Sequence, residues 1–108
     1  MKSLDDDDAV WKALADPTRR RLLDLLRAEP MPTGRLAARF PTSRFAVMKH
    51  LNVLREAGLV VSRSRGRETL NALDPVPIQR IYRRWIRPFE AERADSLLRL
   101  KQHLETKS

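Results

Sequence analysis

The sequence contains no cysteine among its 108 residues, and this absence excludes several classes of function. Without thiols the chain can form no disulfide, no thiolate metal site and no thiol redox switch. It also lacks an apolar run of membrane-span length, and its acidic amino terminus is unlike a signal peptide. These absences favour a cytoplasmic protein with no membrane anchor.

Residues typical of catalysis are also scarce. The chain has two histidines and three glycines. Neither a Gly-rich phosphate loop nor a carboxylate pair in an apolar frame can be recognised. The sequence therefore indicates a protein that is not an enzyme and that needs no cofactor.

Positive charge is abundant but unevenly distributed. The formal net charge is +8, whereas residues 1–16 carry two lysines against five aspartates, a net of −3. Residues 41–67 carry six Lys or Arg against one Glu, a net of +5. A basic patch on one face is typical of a polyanion binder. Charge alone leaves open a solvated, salt-bridged helical surface.

The first half of the chain predicts two helices before a proline-rich break. The first covers residues 7 to about 15, with Val10, Trp11 and Leu14 as its apolar stripe. The aspartates at 5–8 suit a helix start or a disordered tail, with a metal site or a tag remnant as alternatives. Asp16 before a proline predicts the N-cap of a second helix that buries leucines 22, 23, 25 and 26. The prolines of residues 29–32 end that helix.

A helix-turn-helix pattern follows over residues 33–57. Thr33 is expected to cap a short third helix that runs to about residue 39. Ser43 is expected to cap a fourth helix, whose core face repeats at Val47, Leu51 and Leu54. His50, at the margin of that face, is expected to be a hydrogen-bonded structural residue rather than a ligand.

The opposite side of the fourth helix carries side chains suited to reading DNA. Arg44 can donate two hydrogen bonds to guanine, Lys49 can reach guanine or phosphate, and Asn52 can pair with adenine. Phe45 and Met48 are expected against thymine methyl groups, with packing on the third helix as the alternative. Ser43, at the tip, is included among the DNA-contacting residues.

A basic hairpin, predicted over residues 59–73, follows the fourth helix. Gly58 ends that helix, and Gly66 permits the positive φ of the hairpin turn. Arg63, Arg65 and Arg67 surround the turn with no intervening acid. This arrangement favours contact with DNA phosphates or the minor groove over a merely solvated loop.

Taken together, these motifs resemble the ArsR/SmtB family of winged-helix repressors over nearly the whole chain. The resemblance rests on residues 14–20 (LADPTRR), on Ser43, Arg44, Val47 and residues 49–51 of the fourth helix, and on residues 53–60 (VLREAGLV). It implies a homodimer that binds a palindromic operator on double-stranded DNA, usually represses its own operon and releases DNA when an inducer binds. The fold class expected is mainly α with a small β-hairpin, in the order α-α-α-α-β-β-α.

The sequence departs from the metal-sensing members of that family. Their Cys-x-Cys motif on the third helix is replaced by Gly34-Arg35-Leu36-Ala37-Ala38-Arg39, and the last helix has one histidine without the spacing of the zinc sensors. The amino-acid sequences of residues 44–51 and 74–78 look more like those of a non-metal branch of the family. No metal is therefore expected, and an inducer, if one exists, is unidentified.

The carboxyl-terminal third carries a broad apolar face, interrupted at Pro88, where a kink or break is expected. This face must cover the domain core, a second copy of the chain, or both. Residues 1–16 and 77–108 are interpreted as dimerisation helices of one domain, residues 1–108. The interface residues expected are Trp11, Ile81, Tyr82, Trp85, Ile86, Phe89, Leu97 and Leu100. An apolar inducer lodged among the aromatic side chains is a weaker alternative.

The sequence therefore predicts a DNA-binding transcriptional regulator that acts as a homodimeric repressor. An architectural protein that binds DNA without a specific operator is the alternative. A uniform footprint across sequences would favour that alternative.

Overall fold

A computed structural model describes residues 4–90 and 92–106 of the chain. The described elements, in chain order, are α1 (Leu4–Leu14), α2 (Pro17–Ala28), β1 (Met31–Pro32), α3 (Thr33–Ala37), α4 (Arg44–Glu56), β2 (Val60–Arg65), β3 (Glu68–Leu73), α5 (Val76–Ile81), a π-helical turn (Tyr82–Ile86), a 3-10 turn (Arg87–Phe89) and α6 (Glu92–Thr106). This order confirms the predicted fold class and adds one strand, β1.

Local capping explains where α2 and α4 begin. The Asp16 carboxylate accepts hydrogen bonds from the backbone N–H groups of Thr18 and Arg19, at 2.8 and 3.1 Å. The Ser43 hydroxyl accepts from the backbone N–H of Ala46 at 3.1 Å. Each cap satisfies donors that a helix start leaves without intrahelical partners. Both predicted N-caps are confirmed.

The predicted cap of α3 is wrong. Thr33 is the first residue inside the helix, the capping position is Pro32, and no side chain caps it. The Thr33 hydroxyl instead donates to the carbonyl of Thr69 at 3.4 Å and accepts from the Asn71 side chain at 3.0 Å. The competing partners lie in β3, far along the chain, so the local sequence pattern did not show them.

The three strands form an antiparallel sheet in the order β1-β3-β2. In the register of β2 with β3, Val60 lies opposite Leu73 and Arg65 lies opposite Glu68. Gly66 adopts φ +62° in the turn between them, as predicted. The strand β1 pairs on the other side of β3, with Met31 opposite Asn71. A proline is tolerated in β1 because an edge strand can dispense with one N–H donor.

The chain divides into two compact units, Met1–Ile78 and Gln79–Ser108. The core of the first unit is aliphatic and draws on every helix from α1 to α4 and on the start of β2. Its fully or nearly fully buried apolar residues are Val10, Ala13, Leu22, Leu23, Leu26, Met31, Leu36, Val47, Leu51, Leu54, Leu59 and Val60. The predicted core face of α4 is confirmed. In α1, Ala13 joins Val10 in the core, whereas Trp11 is exposed.

The second unit contains the helix break that was predicted at Pro88. The π-helical turn ends at Ile86, a 3-10 turn contains Pro88, and α6 begins at Glu92. Proline removes one backbone donor and clashes with the carbonyl of the preceding turn, so a continuous α-helix cannot pass through it.

Candidate nucleic-acid interface

One face of α4 is exposed and carries both polar and apolar side chains, opposite the buried face formed by Val47, Leu51 and Leu54. Arg44, Phe45, Met48, Lys49 and Asn52, the set predicted from helical spacing, are all exposed, and so are Val53 and Glu56 of the same helix. Phe45 is 66% exposed and Met48 is 44% exposed. This exposure favours the prediction that both side chains face outward over the alternative that they pack on α3. An exposed phenylalanine on a helix tip costs solvation free energy, so this face has the character of a contact surface.

Two cations on this face rest against neighbouring groups. A Cβ placed on Gly34 would lie 3.5 Å from Nη1 of Arg44, so the Arg44 guanidinium lies against the start of α3. The Lys49 ammonium lies 5.2 Å from the centre of the Phe45 ring, within cation–π range. The helix tip therefore presents positive charge together with an apolar ring.

The hairpin formed by β2 and β3 presents the second cationic surface, here called the wing. Arg63, Arg65 and Arg67 are all exposed. Arg63 and Arg65 are two residues apart on one strand and so project from the same face of the sheet. Arg67 lies in the two-residue turn beside Gly66. The wing thus carries three guanidinium groups close to its tip, the geometry needed to follow a phosphate backbone.

A buried asparagine that the sequence analysis did not single out anchors the wing. Asn71 is 0% exposed in the middle of β3. Its Nδ2 donates to the carbonyl of Met31 at 3.2 Å and to the hydroxyl of Thr33 at 3.0 Å. Its Oδ1 accepts from the Ser62 hydroxyl at 2.7 Å. Asparagine is unfavourable inside strands. The occurrence of Asn71 within the predicted hairpin was therefore the available sign in the sequence that it has a structural role.

Asn52 makes a contact within α4 that the sequence analysis did not foresee. Its Oδ1 accepts a hydrogen bond from Nη2 of Arg55, in the last turn of the same helix. Arg55 also donates from Nη1 to the Ser62 hydroxyl of β2, at 2.8 Å. The end of α4 and the first half of the wing are therefore joined by side-chain hydrogen bonds.

The buried side of α4 is held by Arg19 of α2. Its guanidinium donates from Nε to the carbonyl of Ala13 and from Nη2 to the carbonyl of Lys12, both at 2.9 Å. Nη1 lies 3.2 Å from Nδ1 of His50. Since a guanidinium has only donors, Nδ1 of His50 accepts. The expected structural role of His50 is confirmed, and one side chain links α1, α2 and α4.

Asp16 belongs to the same cluster, with Oδ2 at 4.0 Å from Nη1 of Arg19. Burial, the largest single influence, acts to raise the pKa of the Asp16 carboxyl. The backbone hydrogen bonds from Arg19 and Thr18, together with the positive charge of Arg19, outweigh it and hold that pKa below its usual value. The cap is therefore ionised at neutral pH.

Most of the residues predicted for a dimer interface are exposed. These are Trp11, Tyr82, Trp85, Ile86, Phe89, Leu97 and Leu100, joined by Leu98 and Leu104. Ile81 is the exception, because it is 2% exposed in the single chain and so is not available to a partner. Within the second unit, the Tyr82 hydroxyl donates to the Glu90 carboxylate, and this bond is the first cause of a raised Tyr82 pKa.

Neither a metal site nor a membrane-spanning helix is present among the described residues. No group of three or more His, Asp or Glu side chains among them is placed to hold a metal ion. No helix within residues 4–90 or 92–106 is long and apolar enough to cross a membrane.

Comparison with known proteins places the chain among transcriptional regulators. A model of a helix-turn-helix domain family matches residues 14–63. The chain is 43% identical over 75 residues to the HTH-type transcriptional regulator Rv2034 of Mycobacterium tuberculosis, covering 69% of this chain and 70% of that protein. It is 36% identical over 70 residues to the transcriptional repressor SdpR of Bacillus subtilis, covering 65% and 78%.

The fold has similar solved structures. An ArsR-like transcriptional regulator from Rhodococcus sp. RHA1 superposes with a TM-score of 0.71 at 33% identity, over 92% of each chain. A structure described as a possible transcriptional regulator for arsenical resistance gives a TM-score of 0.67 at 41% identity, over 81% of this chain and 90% of that one.

Proposed function

The chain belongs to the ArsR-type winged helix-turn-helix transcriptional regulators, and from that premise we propose that it is a homodimeric repressor of its own operon that binds a palindromic operator. The observation that carries the proposal is the exposed face of α4, where cationic, amide and apolar side chains stand together opposite a fully aliphatic face. A helix with that division can enter the major groove and stay packed on its own core.

The two cationic surfaces have different tasks in this proposal. The α4 tip reads bases: Arg44 suits the acceptors of guanine, and Phe45 and Met48 suit thymine methyl groups. The wing arginines at 63, 65 and 67 grip phosphates or the minor groove and set the register of the protein on the duplex. Affinity for any DNA then comes largely from the wing, and preference for one sequence comes from α4.

Dimerisation is supported by the apolar surface of the second unit. Trp85 and Ile86 are 42% and 46% exposed, and Phe89 is 63% exposed. Exposure of this many large apolar side chains is unfavourable in water and is typical of a surface that a partner covers. Two copies related by a two-fold axis would place their α4 helices on half-sites whose centres lie about one helical turn apart.

We place the chain in a non-metal branch of the family. The segment of α3 that carries cysteine ligands in metal-sensing relatives carries Gly34, Arg35 and Leu36 here. Any signal that releases DNA would then be a small molecule of unknown identity. A repressor that acts on the chromosome in this way would work in the cytoplasm.

Selection from a randomised DNA library tests the proposal. The purified chain should enrich a palindromic sequence and bind it much more tightly than a scrambled duplex of equal length and composition. Enrichment of no sequence, with equal binding to every duplex, would instead support an architectural DNA-binding protein.

A further inference from the structure

Arg55 differs from Arg44 and Lys49 of the same helix because its donors are used inside the protein. It lies in the last turn of the helix and is half-buried. Nη1 donates to the Ser62 hydroxyl at 2.8 Å and approaches Oδ1 of Asn71 at 3.4 Å, while Nη2 donates to Oδ1 of Asn52. A guanidinium is planar and its donors stand in a fixed fork, so these partners are held in one mutual arrangement.

The strand side of this arrangement is rigid. Ser62 lies opposite Asn71 in the register of β2 with β3, and its hydroxyl also donates to Oδ1 of Asn71. Asn71 is in turn tied to β1 and to the start of α3 through Met31 and Thr33. Since a buried amide that loses its partners costs free energy, this anchor resists displacement. Arg55 therefore connects α4 to a fixed point of the sheet.

On the helix side, the hydrogen bond to Arg55 determines which atom of the Asn52 amide faces the guanidinium. Because a guanidinium offers only donors, the Asn52 atom that faces it must be the oxygen. The other amide atom is then Nδ2, which can only donate. Bidentate recognition of adenine requires the same amide to donate from Nδ2 and to accept at Oδ1, where it would compete with the hydrogen bond from Arg55. In this arrangement Asn52 instead suits an acceptor on DNA: guanine N7 or O6, thymine O4, or a phosphate oxygen.

We propose that Arg55 is a positioning residue for DNA recognition. This inference rests on the function proposed above. It holds the Asn52 amide as a donor toward the duplex and fixes the wing at one distance from α4. Arg55 itself makes no base contact in this account. The sequence suggested adenine as the partner of Asn52. We now expect a base that presents only acceptors to the Asn52 amide.

A double-mutant cycle between Arg55 and Asn52 tests the proposal. The probe is the duplex that the wild-type chain enriches from a randomised library, with each position also replaced by the other bases. Arg55→Met keeps the aliphatic stem and deletes the donors. Arg55→Met and Asn52→Ala should each weaken binding by about tenfold and relax preference at the same base position. The double variant should be no more than about two- to threefold weaker than either single variant, since both changes remove one interaction.

Two further variants separate positioning from charge and from folding. Arg55→Lys keeps the charge but cannot hold both partners, so binding to scrambled duplex should stay within about twofold while the base preference is lost. Arg27→Gln removes one positive charge from α2 and should leave the base preference unchanged. Thermal melting of each variant shows whether it is folded, and Arg55→Lys carries the test if Arg55→Met is not.

Three outcomes would overturn the proposal. Losses that multiply in the double variant would show that Arg55 and Asn52 act independently. An Arg55→Lys variant that keeps the wild-type base preference would show that charge alone matters. A wild-type chain that enriches no duplex would overturn the proposed function together with this inference, whereas the first two outcomes leave the function standing.

Discussion

The arginines that contact α4 or lie in the wing differ in what their guanidinium groups touch. Arg19 and Arg55 donate to groups of the protein, one to the end of α1 and to His50, the other to Asn52 and Ser62. The arginines of the wing are exposed, and Arg44 rests on the open backbone of Gly34. In the proposed function, Arg19 and Arg55 position the elements whose exposed arginines contact DNA.

Asp16 offers a prediction at the scale of a single residue. Asp16→Ala should lower the free energy of unfolding by about 0.5–2 kcal/mol at pH 7, because the backbone N–H groups of Thr18 and Arg19 lose their acceptor. Asp16→Asn keeps an acceptor and should lose less. Urea titrations of the three proteins measure the difference. An Asp16→Ala variant as stable as wild type would show that the cap contributes nothing.

The pH dependence of this contribution follows from the lowered Asp16 pKa. Because that pKa is lower in the folded chain than in the unfolded chain, the carboxylate stabilises the fold above about pH 3.9, the usual value for aspartate. The stabilisation is lost as the pH falls through the folded-state pKa. The gap between wild type and Asp16→Asn should therefore narrow below about pH 3.9. A gap that stays constant down to pH 2 would contradict this reasoning.

The wing yields a prediction at the scale of the element. Arg65→Ala and Arg67→Ala should weaken binding to selected and scrambled duplexes alike. Each variant should reduce the slope of log affinity against log salt by about one unit for each lost phosphate contact. Fluorescence anisotropy at four or five salt concentrations measures this slope. Wing variants that lose binding only on the selected duplex would show that the wing reads sequence.

Features set by neighbouring residues were predictable from the sequence. The caps at Asp16 and Ser43, the positive φ of Gly66 and the break at Pro88 depend on groups within a few residues of each other. The aliphatic face of α4 followed from helical spacing in the same way.

Features that depend on distant pairing were not predictable. The strand β1 exists because Met31 pairs with Asn71, 40 residues later. The same pairing takes Thr33 from its expected capping role. Asn52 contacts Arg55 three residues further along α4, but the Arg55 guanidinium is itself held by Ser62 of β2, and helical spacing does not show this second contact. Nothing in the local pattern of residues 29–33 or 52–55 distinguishes these outcomes from simpler ones.

At the scale of the whole molecule, the exposed apolar surface of the second unit predicts self-association. Replacing both Trp85 and Ile86 with glutamate should give a monomeric or insoluble chain that no longer binds DNA, because the charges would be buried without partners. Sedimentation at micromolar concentration measures the mass. Gln102→Glu, an exposed polar position in α6, is the matched control and should remain dimeric. A soluble, dimeric double variant would show that the interface lies elsewhere.

Metal ions provide a second test at this scale. With no cysteine in the chain, adding Zn²⁺, Cd²⁺ or arsenite should leave the affinity for the selected duplex within a few-fold of the metal-free value. Anisotropy titrations with and without each ion, with a chelator as control, make the comparison. A metal ion that binds tightly and stoichiometrically and lowers the affinity for DNA at least tenfold would place the chain in a metal-sensing branch.

In the proposed function α4 reads bases while the wing holds the DNA backbone, and the variant Arg44→Ala separates these two roles. Binding of wild type and Arg44→Ala is measured on the selected duplex and on a scrambled one, with Arg27→Gln as the charge-matched control. The account predicts a loss of about 1–3 kcal/mol on the selected duplex, a relaxed preference at one base position per half-site, and little change on the scrambled duplex. Equal weakening on both duplexes would contradict it.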